Sequence, residues 1–140
     1  MAARSKARKA ALDLLFESDL RGSNTAELLA TRLDSASTLD TPQLREYTTT
    51  LVEGVIAHKR KIDELISTYA QGWDLDRLPI VDRNVMRIGI YELLWNDEVD
   101  DAVAIDQALE LVRLLSSDES ANYVHGLLAR IASIKGDLAL

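Results

Sequence analysis

Apolar residues in this chain recur at spacings of three and four almost from end to end, and no convincing segment alternates with period two. That periodicity favours amphipathic helices over strands, so an all-α fold is expected. Ala7, Ala11, Leu14 and Leu15 share one side of a helix over about 4–21, with Gly22 suited to its C-cap. Asn24 can cap a second helix, with Glu27 in the capping-box position and Leu28, Leu29 and Leu33 on its apolar face. Residues 34–41 read as a polar loop, and Thr41-Pro42 starts a third helix carrying Leu44, Tyr47, Leu51 and Val55. The run Thr48-Thr49-Thr50 is β-branched and disfavours helix, but the flanking pattern stays helical. The charged stretch His58–Lys61 reads as a turn. A fourth helix then carries Ile62, Leu65, Ile66 and Tyr69 and ends at Gln71-Gly72. A fifth begins at Leu78-Pro79 or Asp82, buries Val81, Val85, Ile88 and Leu93, and breaks at Asn96-Asp97. A sixth spans about 101–115 through Ile105, Ala108, Leu109 and Val112. After the cap region 116–119, a seventh runs over about 120–135 through Tyr123, Leu127, Leu128 and Ile131, and Gly136 closes it. Seven short helices joined by short loops, without repeats or linkers, point to one compact helical domain over 1–140, with 1–9 as a basic arm.

Composition narrows the function. The chain has 140 residues, the usual size of one domain. It has no cysteine, which excludes disulfides, thiolate metal sites and a cysteine nucleophile. Its two histidines, His58 and His125, are far apart in sequence and stand beside no nucleophile. His58 reads as an exposed residue near a helix C-terminus, and His125 as a packed or surface residue. No glycine-rich phosphate loop and no Gly-x-Ser-x-Gly elbow occurs. The acidic cluster Asp97, Glu98, Asp100, Asp101 lacks the spaced glycine and terminal glutamate of a calcium loop. It is better read as an acidic helix start favoured by the helix dipole. No apolar run is long enough to span a bilayer, and the basic N-terminus has no apolar signal core. A cytoplasmic protein without enzymatic, metal or cofactor chemistry is expected.

Charge is unevenly distributed. Against 16 Lys and Arg stand 23 Asp and Glu, a net charge of -7. Yet residues 1–9 hold Arg4, Lys6, Arg8 and Lys9 and no acid, so the remainder is strongly acidic. On a helical wheel Arg4 and Arg8 lie close together, while Lys6 and Lys9 fall on the far side. Phe16 lies nearly in line with Lys9 and Leu12. Cations that neutralise phosphate beside an aromatic ring that stacks on a base suit single-stranded nucleic acid. A solubilising cationic terminus, with Phe16 in a core contact, accounts for the same residues.

The stretch from Leu78 to Gly126 is more specific. It contains Asp82-Arg83, Arg87, Tyr91-Glu92-Leu93, Val103-Ala104-Ile105-Asp106 and Ser120-x-x-Tyr123-Val124-x-Gly126. Upstream stand Arg4-x-x-Ala7-x-x-Ala10, Leu15-Phe16, Glu53-Gly54-Val55 and Ile62-Asp63-x-x-Ile66. This ordered set, covering nearly the whole chain, resembles the NusB family of bacterial transcription antitermination factors. Trp73 and Leu75-x-Arg77-Leu78-Pro79 look most like high-GC Gram-positive members.

The resemblance implies a seven-helix fold of two small helical bundles and no enzymatic activity. It implies binding to boxA, a short single-stranded RNA element of ribosomal RNA leaders. The partner would be NusE, the small-subunit ribosomal protein that also acts in transcription. Recruitment to elongating RNA polymerase with other Nus factors would follow, and some members form homodimers. Residue by residue, the RNA-binding arm carries over as Arg4, Lys6, Arg8, Lys9 and Phe16. A second RNA region carries over as Glu119, Ser120, Asn122 and Tyr123, although Tyr123 also sits at core spacing. The face toward NusE carries over as Asp82, Arg83 and the segment 97–102, including Asp97 and Asp101. Asp82 is also placed to cap a helix, and Arg87, Tyr91 and Glu92 fit a buried framework. Three positions depart from the family pattern: His125 where asparagine is common, Asp100-Asp101 where proline is frequent, and Ser5 where arginine occurs. A helical interaction module or homodimer without RNA function is the rival reading. NusB-like domains also precede some RNA methyltransferases, but 140 residues leave no room for a catalytic domain.

Overall fold

The helix α4 (Ile80–Trp95) organises the molecule, because ten of its sixteen residues are buried. A helix apolar on most of its circumference belongs in the middle of a bundle. The computed structural model describes residues 2–34, 42–70 and 74–140. Around α4 stand α1 (Ala2–Arg21), α2 (Thr25–Asp34), α3 (Pro42–Tyr69), α5 (Asp101–Leu115) and α6 (Asp118–Ile134). Short 3-10 turns at Leu75–Arg77 and Lys135–Asp137 precede α4 and follow α6. Helices α1, α2 and α3 pack on one another, as do α4, α5 and α6. The two groups of three meet where α4 lies against α1 and α3. One cluster of buried apolar residues runs through both, from Ala11 and Leu14 on α1 to Leu128 and Ile131 on α6.

Local signals in the sequence set most of the boundaries. Gly22 has φ 66°, the left-handed conformation of a helix C-cap, and Ser23 N–H bonds back to Ser18 C=O at 3.0 Å. Asn24 Oδ1 accepts from Glu27 N–H at 2.9 Å at the start of α2. Ser117 caps α6 by accepting from Ser120 N–H at 3.0 Å. Helix α4 starts right after Pro79 and ends at Asn96. Asp34, expected to open a polar loop, is the last residue of α2; the rest of that loop at 35–41, the Leu44 side chain, the stop at Gln71-Gly72 and the Trp73 match lie outside the described backbone or side chains.

The expected count of seven helices is corrected to six among the described residues. The third and fourth expected helices are one, α3, of 28 residues. No glycine or proline stands between Val55 and Ile62 to break it, and lysine and arginine are good helix formers. The core stripe Thr48, Leu51, Val55, Ile62, Leu65 keeps its three-four rhythm across the charged stretch. His58 occupies the missing step. Its ring stacks on Trp95 of α4, with centroids 3.9 Å apart and planes at 10°.

Two glycines let helices approach closely. A Cβ at Gly54 on α3 would sit 2.6 Å from Tyr91 Cδ1 on α4, and one at Gly89 would sit 3.0 Å from Leu128 Cδ1 on α6. Replacing Gly54 with alanine should therefore destabilise the protein, because overpacking costs typically about 1–3 kcal/mol and outweighs the gain in helix propensity of up to about 1 kcal/mol. Urea unfolding measures this. A stabilised Gly54→Ala protein would show that the α3–α4 contact is loose.

Candidate nucleic-acid interface

The basic arm is the start of α1, and its four cations have divergent surroundings. Ala7 and Ala11 face the core, so Arg8, one residue on, is drawn inward. Its guanidinium grips Glu92 of α4 in a fork: Nε donates to Oε1 at 3.0 Å and Nη2 to Oε2 at 2.9 Å. Both side chains are buried, Arg8 at 4% exposure and Glu92 at 1%. The Tyr47 hydroxyl also donates to Glu92 Oε2 and accepts from Asn96 Nδ2 at 3.1 Å. Gln107 Oε1 of α5 accepts from Ser5 Oγ at 2.7 Å and from Arg8 Nη1 at 3.3 Å. Burial and the neighbouring Glu92 carboxylate push the Tyr47 phenol well above its usual range, so it stays a donor. Arg8 was expected to meet RNA. The structure commits it to an interior ion pair that locks α1 to α4.

The other three cations are outside. Lys6 is exposed. Lys9 pairs with Asp13 one turn on, at 2.7 Å. Arg4 lies over the Tyr47 ring, 4.9 Å from its centroid, and reaches Glu98 at 3.2 Å. Glu98 is 79% exposed, and surface pairs of this kind are worth at most about 1 kcal/mol, so a phosphate can replace either carboxylate. Phe16 is half-buried on α1.

The second expected RNA region is the N-terminal turn of α6. Glu119 and Asn122 are exposed, Ser120 is half-buried, and Tyr123 is half-buried with its hydroxyl enclosed. His125 points to solvent rather than into the core. Tyr123 and Asp82 line one hollow, with Asp82 at the start of α4. Glu92, which holds the arm, lies ten residues further along α4, about 15 Å at the usual helical rise. The two expected RNA regions are thus separate patches along one central helix.

The residues expected to face NusE are also divided. Asp82 is buried at 3% exposure. Arg83 is turned onto Asp19 of α1, donating from Nε at 2.7 Å and Nη2 at 2.8 Å. Both were candidates for the NusE face, and both are held in; Asp82 does not cap α4 either, because the helix starts two residues earlier, after its N-cap Pro79. Asp101 pairs with Lys135 at 2.6 Å. Asp97 is exposed in the turn after α4, next to Glu98, and so lies beside the arm.

Asp19 is a hub that the sequence did not single out. Besides Arg83 it accepts from Asn84 Nδ2 at 3.0 Å and Arg87 Nη1 at 3.0 Å. Arg87 in turn grips Asp63 of α3, with Nε at 2.8 Å and Nη2 at 3.2 Å. Burial alone would raise the Asp19 carboxyl. Hydrogen bonds from Arg83 and Asn84, with the charges of Arg87 and Arg83, pull it down to about 2. This network ties α1, α3 and α4 together, which explains Arg83, Arg87 and Asp63 structurally.

Among the described residues no group of three or more metal-ligating side chains converges, and no helix is long and apolar enough to cross a membrane.

Comparison with known proteins agrees with this architecture. The model of the NusB family matches residues 5–133. The chain is 55% identical over 135 residues to transcription antitermination protein NusB of Saccharopolyspora erythraea, covering 96% of this chain and 89% of that one. It is 51% identical over 139 residues to the same protein of Nocardioides sp., covering 99% and 100%. Among solved structures it resembles T. maritima NusB, with a TM-score of 0.83 and 32% identity over 96% of this chain and 97% of that one. It also resembles a chain from the crystal structure of antitermination factors NusB and NusE in complex with double-stranded RNA. There the TM-score is 0.84 and the identity 28%, over 95% of this chain and 98% of that one. With the family model spanning most of the sequence and relatives above 50% identity along nearly its full length, the chain belongs to the NusB family.

Proposed function

We propose that this protein is a transcription antitermination factor, a binding protein and not an enzyme. It holds single-stranded boxA RNA of ribosomal RNA leaders jointly with NusE, and through NusE and other Nus factors joins the elongating RNA polymerase. The observation that carries this reading is the arm: Arg4, Lys6 and Lys9 are presented outward, with Arg4 over the Tyr47 ring and paired to Glu98 and Lys9 paired to Asp13, on a helix anchored by the buried Arg8–Glu92 pair. The match to a NusB chain crystallised with NusE and double-stranded RNA supports the coarser part of it, RNA and NusE as partners.

The rest of the chain is acidic, so phosphate is attracted at the arm and repelled elsewhere. RNA binding by this chain alone is therefore weak, and NusE supplies much of the affinity. Asp97 and its neighbours offer NusE an acidic surface beside the arm, so one partner can contact both protein and RNA there.

With three outward cations the salt dependence is bounded. For single strands each neutralised phosphate contributes about 0.7 to the slope of log affinity against log salt, so the slope should be no steeper than about -2. Titration of a boxA-like oligonucleotide at several salt concentrations checks this. In Lys6→Ala/Lys9→Ala the slope should flatten to about -0.7, with thermal stability unchanged. A slope unaffected by that double substitution would remove the arm from the RNA site.

A further inference from the structure

Two outward cations of the arm are paired in different ways. Lys9 pairs with Asp13 on its own helix, whereas Arg4 reaches across the molecule to Glu98, 94 residues away in the turn after α4. The second contact sits in a shaped bay. The Tyr47 ring is its floor, with the Arg4 guanidinium 4.9 Å from the centroid in a cation–π arrangement. That floor is fixed, because the Tyr47 hydroxyl is tied to the buried Glu92 and accepts from Asn96 Nδ2 at 3.1 Å. The same Asn96 side chain fixes the wall. Its Oδ1 accepts from the Glu98 backbone N–H at 3.1 Å, and Val99 N–H closes the turn on Asn96 C=O at 3.2 Å. Glu92, Tyr47, Asn96, Glu98 and Arg4 thus form one connected chain, which sets the Glu98 carboxylate against the guanidinium at 3.2 Å.

A carboxylate and a phosphate present similar acceptor oxygens to a guanidinium. Arg4 is therefore held in a phosphate-binding posture with a tethered acid in the phosphate's place. We propose that Glu98 is an internal phosphate mimic that keeps Arg4 from RNA in the free protein, and that NusE, pairing basic groups of its own with the acidic turn, releases Arg4 to the RNA backbone. Two properties suit Glu98 to this role. It is tethered, so it competes with RNA at high effective concentration. It is also 79% exposed, so a partner can reach it and the pair gives way readily. Asp13 cannot act in this way, because it rides on α1 with Lys9 and a partner at the turn does not remove it. The device couples the two ligands without a change of fold. RNA displaces one end of the ion pair and NusE the other, so each eases the binding of the other by the same factor. The inference rests on the RNA-binding reading above, with NusE at the acidic turn.

The test measures the affinity of a boxA-like RNA oligonucleotide, without NusE and with NusE saturating. The proteins are wild type, Glu98→Gln, Asp97→Asn, Arg4→Ala and the double variant Arg4→Ala/Glu98→Gln. Without NusE, Glu98→Gln should bind about two- to fivefold more tightly than wild type, the range that an exposed ion pair allows. Asp97→Asn removes an equal charge one residue away and should gain less. In the Arg4→Ala background the Glu98 substitution should gain no more than Asp97→Asn does, since the contested cation is gone. With NusE saturating, wild type and Glu98→Gln should converge. A gain that Asp97→Asn equals, or that persists without Arg4, reduces Glu98 to general repulsion of phosphate and overturns the mimic, leaving the RNA-binding reading intact. So does the absence of any gain. A gain undiminished at saturating NusE overturns the release by the partner. No selective binding of the RNA by any of these proteins, with or without NusE, overturns both readings.

Discussion

Replacing Arg8 with alanine is expected to destabilise the protein by about 3–5 kcal/mol, the usual cost of removing one member of a buried ion pair. The truncation leaves the Glu92 side chain 1% exposed and, among the described residues, with the Tyr47 hydroxyl as its remaining partner. It also takes a donor from Gln107, which connects α5 to the same cluster. Arg8→Lys keeps a charge but not the planar two-pronged fork, so it should fall between wild type and alanine. Replacing both partners, Arg8→Met with Glu92→Leu, should recover much of the loss, since no charge is then left alone inside. Urea unfolding of the four proteins measures the series. At temperatures where Arg8→Ala is still folded, its RNA affinity should match wild type. Full stability with lost RNA binding would show instead that this guanidinium acts outward.

The second large effect belongs to Asp19. Asp19→Ala strands two arginines, Arg83 and Arg87, that share this carboxylate at the junction of α1 and α4, and Arg87 keeps only Asp63 and Asn84. A loss of about 3 kcal/mol is expected, because hydrogen bonds to charged groups are worth about 1.5–3 kcal/mol each and a partly buried charge is left under-compensated. The same site controls acid stability. The Asp19 carboxyl falls from its ordinary 3.8 to about 2 in the folded protein. A depressed acid stabilises the folded state above its unfolded pKa and loses that contribution as the pH drops through the folded value. The contribution, up to about 2 kcal/mol from the size of the shift, should be intact above about pH 5 and disappear between about pH 4 and pH 2. Asp19→Asn should be less stable than wild type at neutral pH and should converge with it near pH 2. Parallel stability curves for the two proteins would exclude Asp19 as the acid-sensitive group.

Periodicity and caps carried the fold a long way. The α1 stripe, the glycine stop at Gly22, the Asn24 cap and the span of α5 were all legible as local signals. The split of α3 was misread because a cluster of charges at 58–61 resembles a turn in sequence, whereas on a long surface-lying helix those charges simply face water. His58 looked like an exposed residue because nothing local announces Trp95, 37 positions away, as its stacking partner. Arg8 shows a similar limit. Net charge counts it with Lys6 and Lys9, but only the register of Ala7 and Ala11 against α4 decides that it turns inward, and Glu92 is 84 residues distant. Asp19 has no signal of its own: it is one of many acids, and its role arises from two arginines one turn apart on a helix far along the chain. Ion-pair networks across helices are non-local, so composition and spacing do not reveal them. The same is true of the hollow that Asp82 and Tyr123 line, which becomes visible only once α4 and α6 are side by side.

On the function proposed above, the anchored arm and the acidic turn after α4 serve RNA binding with help from a partner. Fluorescence anisotropy of a labelled boxA-like RNA, against a scrambled strand of equal composition and with and without NusE, tests that claim most directly. Weak, selective binding by the chain alone that tightens when NusE is added is the expected result. Equal binding of both strands, or binding indifferent to NusE, would contradict the account.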